Sequence, residues 1–457
     1  MKIAGLAVLL AGCMVGDDPF ATQDVKPRGD RNPNGFADSV SSRGTIDTSG
    51  PFFASLGTNG RSCASCHIQA EGWAISADGV QARFDATDGL DPIFRTNDGS
   101  NRPDADISSV GTRFAAFSML RTRGLIRVGM PIPANAEFTL IAVDDPYGYA
   151  KASDLSLFRR PLPSTNLRFL STLMWDARES QIDIPGDLHS FNLLGGLSQQ
   201  AIDATLGHAQ ATGTSGGDMA GIVDFEMSLS TAQVTDNTAG ALDDEANGGP
   251  NVIPTIPFFL GINDPLGENR TGQAFTPVVF TLFDGFAPPA KPKKDPHREK
   301  QYSIFRGQQL FNTRTFTIAG VKGLNDVFFG NQAITGTCTT CHDTPNVGNH
   351  SISIGLDLGL TDESRRTSDM PLYTLQNNAT GEIIKTTDPG RAMITGKWAD
   401  IAKFKGAILR GLSSRAPYFH NGIAATLADA VEFYNQRFAM GLSAQEKSDL
   451  TAFLSAL

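Results

Sequence analysis

Two short runs of the chain carry groups with a chemistry of their own: Cys63-Ala64-Ser65-Cys66-His67 and Cys338-Thr339-Thr340-Cys341-His342. A pair of thiols at this spacing can add to the two vinyl groups of haem. The histidine that follows is then held at the iron as axial ligand, which is the arrangement of a c-type haem. With 5 Cys and 7 His in 457 residues, chance gives one such pentapeptide only about once in a thousand chains. Zinc would need four ligands per site, and the cysteines are then exhausted. A thioredoxin-like redox pair gives no reason for a histidine to follow twice. The residues point to two covalently attached haem c groups.

The fifth cysteine, Cys13, closes Leu10-Ala11-Gly12-Cys13 behind Lys2 and the apolar run from Ile3 to Leu10. This reads as a bacterial lipoprotein signal over residues 1–13, cut before Cys13, which then carries the lipid. The run is too short for a transmembrane helix; the alternative is an ordinary signal peptide and an unmodified cysteine. Either reading exports the chain to the periplasmic side, as haem c attachment requires. Met14, standing where an Asp would retain the protein at the inner membrane, favours the outer one. No cysteine remains for a structural disulfide.

The bulk composition is that of a globular protein, 40% hydrophobic and 19% charged. A net charge of -10 argues against nucleic acid and suits a small basic electron carrier. The 47 Gly and 25 Pro predict long loops around a helical frame.

Several elements must position the two motifs. Residues 14–48 are polar and lack apolar periodicity, so they read as a flexible tether. The first haem region spans 49–287 and reaches Cys63 through the turn Gly57-Thr58-Asn59-Gly60. Thr139–Val143 suits a strand, Leu167–Arg178 a buried segment, and Leu197–Gln210 a helix carrying Gln200, His208 and Gln210. Residues 236–277 read as an extended loop, and the proline-rich, basic run 288–301 as a linker. The second region, 302–457, opens on a helix over Tyr302–Asn312. It closes on two helices whose starts are marked by Thr426 with Asp429 and by Ser443 with Glu446. The fold class expected is mainly α.

Around the second motif stand Gly307-Gln308-Gln309-Leu310-Phe311, Asp388-Pro389-Gly390-Arg391, Phe404-Lys405 and Leu409-Arg410-Gly411. Ala416-Pro417-Tyr418-Phe419-His420-Asn421-Gly422 follows, ahead of a Thr-Leu-x-x-Ala-Val helix. In these strings the chain resembles the bacterial dihaem cytochrome c peroxidase family, which includes the MauG-type enzymes. Residues 302–457 carry the resemblance well. The N-terminal half carries it thinly, through the first motif, Trp175-Asp176-Ala177-Arg178 and the Gln200 helix.

The resemblance implies two cytochrome c-like haem domains facing each other, with long loop insertions, one haem meeting hydrogen peroxide and the other passing electrons. It implies Tyr434 as far-side ligand of the second haem, with Met440 as rival and simple packing as the alternative; a phenolate stabilises ferric iron. Trp175 matches an electron relay between the haems. Gln200 matches a glutamine of the peroxide site, but the family's acid–base Glu falls on Gln210, whose amide cannot move a proton; His208 is the nearby substitute. No His lies between His67 and His189, so the first haem is expected to be five-coordinate unless Met119 or Met130 closes it. A Ca2+ is implied between Asn166 and the carbonyls of Arg415 and Pro417; an ordinary turn Asn fits as well.

The function expected is peroxide reduction with electrons from a small cytochrome or cupredoxin. The alternatives are a MauG-like oxidase of an organic or protein substrate, or an electron-transfer cytochrome without catalysis. The insertions between His67 and Trp175 and between Gln210 and Pro288 either roof the first haem or bind a partner.

Overall fold

The computed structural model describes residues 29–180, 187–266, 269–292 and 294–457. Cys13, the signal segment and the start of the tether lie outside them. Helix makes up 31% and strand 16%, which corrects the expectation of a mainly α fold. A four-stranded antiparallel sheet runs Asp30–Asn32, Gly35–Ser41, Leu229–Asp236, Gly240–Ala241, and a three-stranded one runs Ile383–Thr386, Leu372–Asn377, Phe138–Asp144. Two further pairs join Ile126–Met130 to Leu155–Arg159 and Phe316–Ile318 to Ile334–Gly336. These strands are 2 to 8 residues long. Such runs between turn residues are too short to compete with helical periodicity in a sequence reading. The longer strand anticipated at Thr139–Val143 is present as Phe138–Asp144.

Gly35–Ser41 belongs to the stretch read as a tether, yet it pairs along its whole length with Leu229–Ser230-Thr231 and onward to Asp236. Its buried positions alternate, as one face of a strand requires. Those positions are Gly35, Ala37 and Ser39, small residues that give no hydrophobic signal. Ser39 accepts a hydrogen bond from Trp73 Nε1 at 2.9 Å, so the segment forms part of the wall behind the first motif. The linker is also shorter than expected. A helix starts at Pro296, with Asp295 capping it through His297 N, and runs to Thr313.

Two aromatic cores flank the motifs. One gathers Phe52, Trp73, Leu197 and Ile222 around the first. The other gathers Phe280, Phe283, Phe311 and Phe453 beside the second. There the helices Pro296–Thr313 and Ala444–Ala456 touch at Gly307, where any Cβ would lie 2.0 Å from the carbonyl of Asp449. The last two helices begin at the capping boxes read from sequence, Thr426/Asp429 and Ser443/Glu446. Arg159 ties distant segments together, bidentate to Asp388 at 2.7 and 2.9 Å and also bonded to Asp176 beside Trp175. Among the described residues no helix is long and apolar enough to cross a membrane.

Candidate haem sites

The two motifs are built alike, bond for bond. Each pair of cysteines sits on a single 3-10 turn, Cys63–Ser65 and Cys338–Thr340. Each turn is entered through a backbone N–H that donates to a hydroxyl three residues on, Ser62 to Ser65 and Thr337 to Thr340, both at 3.0 Å. His67 N donates to Cys63 O and His342 N to Cys338 O, which aims both rings the same way from their turns.

Each histidine then anchors its Nδ1 on the carbonyl six residues later, Trp73 at 3.0 Å and Gly348. A carbonyl only accepts, so Nδ1 carries the hydrogen and Nε2 keeps its lone pair. Burial lowers both histidines to about 4, so each ring is neutral at pH 7. Burial also pushes Cys63, Cys338 and Cys341 up to about 12, leaving neutral thiols rather than metal-seeking thiolates.

A cavity opens beside each motif. That at His67 measures about 1480 Å³ and that at His342 about 1710 Å³, open mouths included. The first is lined by Gln200 and His208 among others. Both come from the helix Leu193–Gly207, which His208 caps. That helix ends three residues before the anticipated Gln210, whose backbone turns left-handed at φ 56°. Gln210 is exposed and does not line the cavity, so its assignment to the site is corrected. His208 Nδ1 bonds Asp98, which in turn bonds Arg61. Neither partner was identified from sequence, because both are loop residues brought to His208 only by the fold. Met119 and Met130 pack elsewhere, in a small cluster with Phe158 and against the three-stranded sheet. The methionine that does face the first cavity is Met174, held at φ 58°.

The second cavity brings together Tyr434 and Met440 with a mainly apolar lining that includes Phe311, Leu427 and Phe438. Tyr434 stacks on Phe438, and burial beside Cys338 and Cys341 raises its phenol. His420 also lines this cavity, stacked on Phe404 at 3.9 Å, with neither ring nitrogen hydrogen-bonded. A wall is shared by the two cavities and contains Arg160, Trp175, Lys405 and Ile408. Trp175 Nε1 donates to Arg160 O at 2.8 Å, and Trp175 O accepts from Lys405 N at 3.0 Å.

No protein-family model matches the chain. A cytochrome-c peroxidase of Denitromonas iodatirespirans, IdrP2, is 33% identical over 132 residues, 27% of this chain and 36% of that protein. IdrP1 of Pseudomonas sp. (strain SCT) is 31% identical over 140 residues, again 36% of its length. The chain thus spans about a third of the length of these two relatives. Cytochrome c551 peroxidase of Nitrosomonas europaea is 31% identical over 254 residues, 49% of this chain and 70% of that protein. The chain belongs to the dihaem cytochrome c peroxidase family. A solved MauG-like protein associated with microbial copper homeostasis covers 89% of the chain and 85% of its own, at 14% identity and a TM-score of 0.38.

The family's cofactor is haem c, and the residues present fit it. Beyond the thiols and bare Nε2 atoms, the walls carry buried cations, Arg160 and Lys405 facing both cavities and Arg415 the second. Burial lowers Arg160 to about 9, Arg415 to about 10 and Lys405 to about 7. No carboxylate among the described residues forms an ion pair with any of the three. Buried cations without counter-charges are costly, and the propionate groups of haem are carboxylates of the right sign.

The calcium reading finds less support in the geometry. Asn166 clasps Thr231, accepting from its N–H at 3.0 Å and donating to its carbonyl at 2.9 Å. The Arg415 carbonyl accepts from Arg160 Nη2 at 2.9 Å. A guanidinium therefore takes the carbonyl assigned to the ion, and Pro417 is left lining the second cavity. Among the described residues no group of three or more His, Cys, Asp or Glu is placed to hold a metal ion.

Proposed function

We propose that the chain is a dihaem c peroxidase-like oxidoreductase that reduces hydrogen peroxide in the first cavity with electrons relayed from the second. Cys63, Cys66 and His67 hold one haem, and Cys338, Cys341 and His342 the other, in regions 49–287 and 302–457. Tyr434 would help hold the second, with Met440 as its rival. Bound haem supplies redox-active iron able to exchange electrons with peroxide and with its partner haem.

The observation that carries the reading is the His208–Asp98–Arg61 chain in the first cavity. Asp98 fixes His208 Nδ1 and leaves Nε2 free to take a proton from one peroxide oxygen and return it to the other. Against burial, the hydrogen bond to His208 and then the Arg61 guanidinium hold the Asp98 carboxyl below its usual range, so the imidazole stays oriented. Trp175, in the wall of both cavities, lies on the route for electrons. An acidic surface favours a small basic cytochrome or cupredoxin as donor, and export with a lipid at Cys13 places the enzyme on the periplasmic side of the outer membrane.

Tyr434 favours a second reading, a MauG-like oxidase of an organic or protein substrate, because an anionic oxygen ligand supports high oxidation states. Low-temperature EPR of the ferric protein tests both against a plain electron carrier. A high-spin signal abolished by peroxide is expected. Two low-spin signals indifferent to peroxide, also after reduction and reoxidation, would overturn both enzymatic readings. Fast steady-state peroxide consumption with a reduced cytochrome, slowed by Trp175→Phe, would then separate the peroxidase from the oxidase.

A further inference from the structure

The helix Gly216–Ser228 buries Met219, Ile222, Val223 and Glu226. The spacing i, i+3, i+4, i+7 is that of one apolar stripe, and its fourth place is a carboxylic acid. Glu226 is 5% exposed. Its one side-chain partner is the Ser164 hydroxyl, and its Oε2 has none. It lines the first cavity together with His67, Met174, Gln200 and His208.

Among the described residues the surroundings supply no counter-charge. The elements packed on this helix bring Phe52, Leu167 and Phe169 to it, and the neighbouring titratable group is the neutral Cys63 thiol. Arg168 is turned to the carbonyls of Pro254 and Ile256, and Asp203 to Gln199. An ionised carboxylate here would be buried and unpaired, a costly state. Burial accordingly pushes Glu226 up to about 7. A glutamine would fill the same space without that liability. Groups with such shifts in a cavity are candidates for proton transfer.

We propose that Glu226 is a proton-transfer residue of the first site, holding a proton in the cavity and giving it to a small oxygen ligand bound there. The proposal rests on the peroxidase reading and deepens it. Reduction of H2O2 to two waters consumes two electrons and two protons as the O–O bond breaks. The electrons come from a reduced one-electron donor protein. His208, whose side chain is 41% exposed, exchanges its proton with solvent at the mouth; Glu226 gives the other from within and is reprotonated from water after turnover. Gln210, at the place of the family's acid, is exposed and takes no part.

The test uses the full holoprotein, with hydrogen cyanide and hydrogen peroxide as probes. Hydrogen cyanide binds ferric haem as the anion and must leave its proton on a base in the cavity, so above neutral pH, where Glu226 has given up its own proton, the association rate reports the same group running in reverse, without turnover. Glu226→Gln is expected to slow cyanide association at least tenfold, and to remove an infrared carboxyl band of the wild type that titrates near neutral pH. Glu226→Asp should restore a titrating band and part of the rate. Wild-type cyanide and peroxide rates in Glu226→Gln, at unchanged haem content, would overturn the proposal. If the wild type consumes no peroxide, the peroxidase reading fails alone, because the cyanide rate and the carboxyl band still decide Glu226. Should the Gln variant fail to take up haem, Glu226→Asp carries the test: loss of the titrating band with an unchanged cyanide rate overturns the proposal.

Discussion

The two cavities share one wall and one construction on the histidine side, and differ in the groups that face each histidine. His67 and His342 have the same turn, the same hydroxyl lock and the same Nδ1 anchor six residues on. Around the first stand His208, Asp98 and Glu226, groups able to hold or move protons, with Arg61 and Gln200 beside them. Around the second stand Tyr434, Met440 and an aromatic and aliphatic lining. Peroxide chemistry must move protons as well as electrons, whereas an electron relay works best where charge on the surroundings changes little. On the proposed function, one attachment module serves two tasks, and the wall around it assigns the task.

Removing one module at a time puts the greatest strain on this comparison. Cys63→Ser with Cys66→Ser should leave one haem per chain by pyridine haemochrome and reduce peroxide consumption to background. Cys338→Ser with Cys341→Ser should also leave one, yet preserve cyanide binding at the first cavity. If the two double variants lose cyanide binding equally, the division of labour is wrong.

Next in size is the proton side of the first cavity. His208→Gln should lower peroxide turnover by ~10²-fold, the low end of general acid–base contributions. Asp98→Asn should produce a smaller loss, because it misorients the imidazole without removing it. The second cavity should respond in potential rather than in proton transfer. Tyr434→Phe is expected to raise its midpoint by an appreciable part of the ~0.8 V that axial ligands span, with Met440→Leu nearly silent. The opposite pattern in a spectroelectrochemical titration would make Met440 the ligand.

The smallest effect separates the cavities by stability. Glu226 is raised from 4.5 to about 7 in the folded protein. Its contribution is therefore complete below pH 4.5 and lost as pH rises through 7, because only the unfolded chain ionises freely in between. The loss is ~3 kcal/mol for a shift of this size. Glu226→Gln should match the wild type near pH 4.5 and exceed it at pH 8 in urea midpoint. Equal midpoints at pH 8 would mean that the carboxylate finds a counter-charge in solution.

Much of what is local could be read directly from the chain. The capping boxes at Thr426 and Ser443, the strand near Thr139 and the helix holding Gln200 and His208 depend on neighbours within a few residues, and such patterns survive into the fold. The strand Gly35–Ser41 was hidden because Ala37 and Ser39 are too small to mark a buried face. Glu226 left a trace, as the one acid on the stripe of Met219, Ile222 and Val223, but periodicity alone does not reveal that the stripe borders a cavity. Asp98 left none: it stands 110 positions from His208, with no pattern that joins the two.

By itself, then, the sequence determined that the C-x-x-C-H run occurs twice, and which thiols and histidines would hold haem c there, because such a site is laid out within five consecutive residues. Only the tertiary structure decided what faces each attachment. Asp98 meets His208, Arg160 and Lys405 share a wall with Trp175, and Gln210 turns away. Those contacts join segments up to hundreds of residues apart, where burial and strand pairing, not spacing along the chain, choose the neighbours.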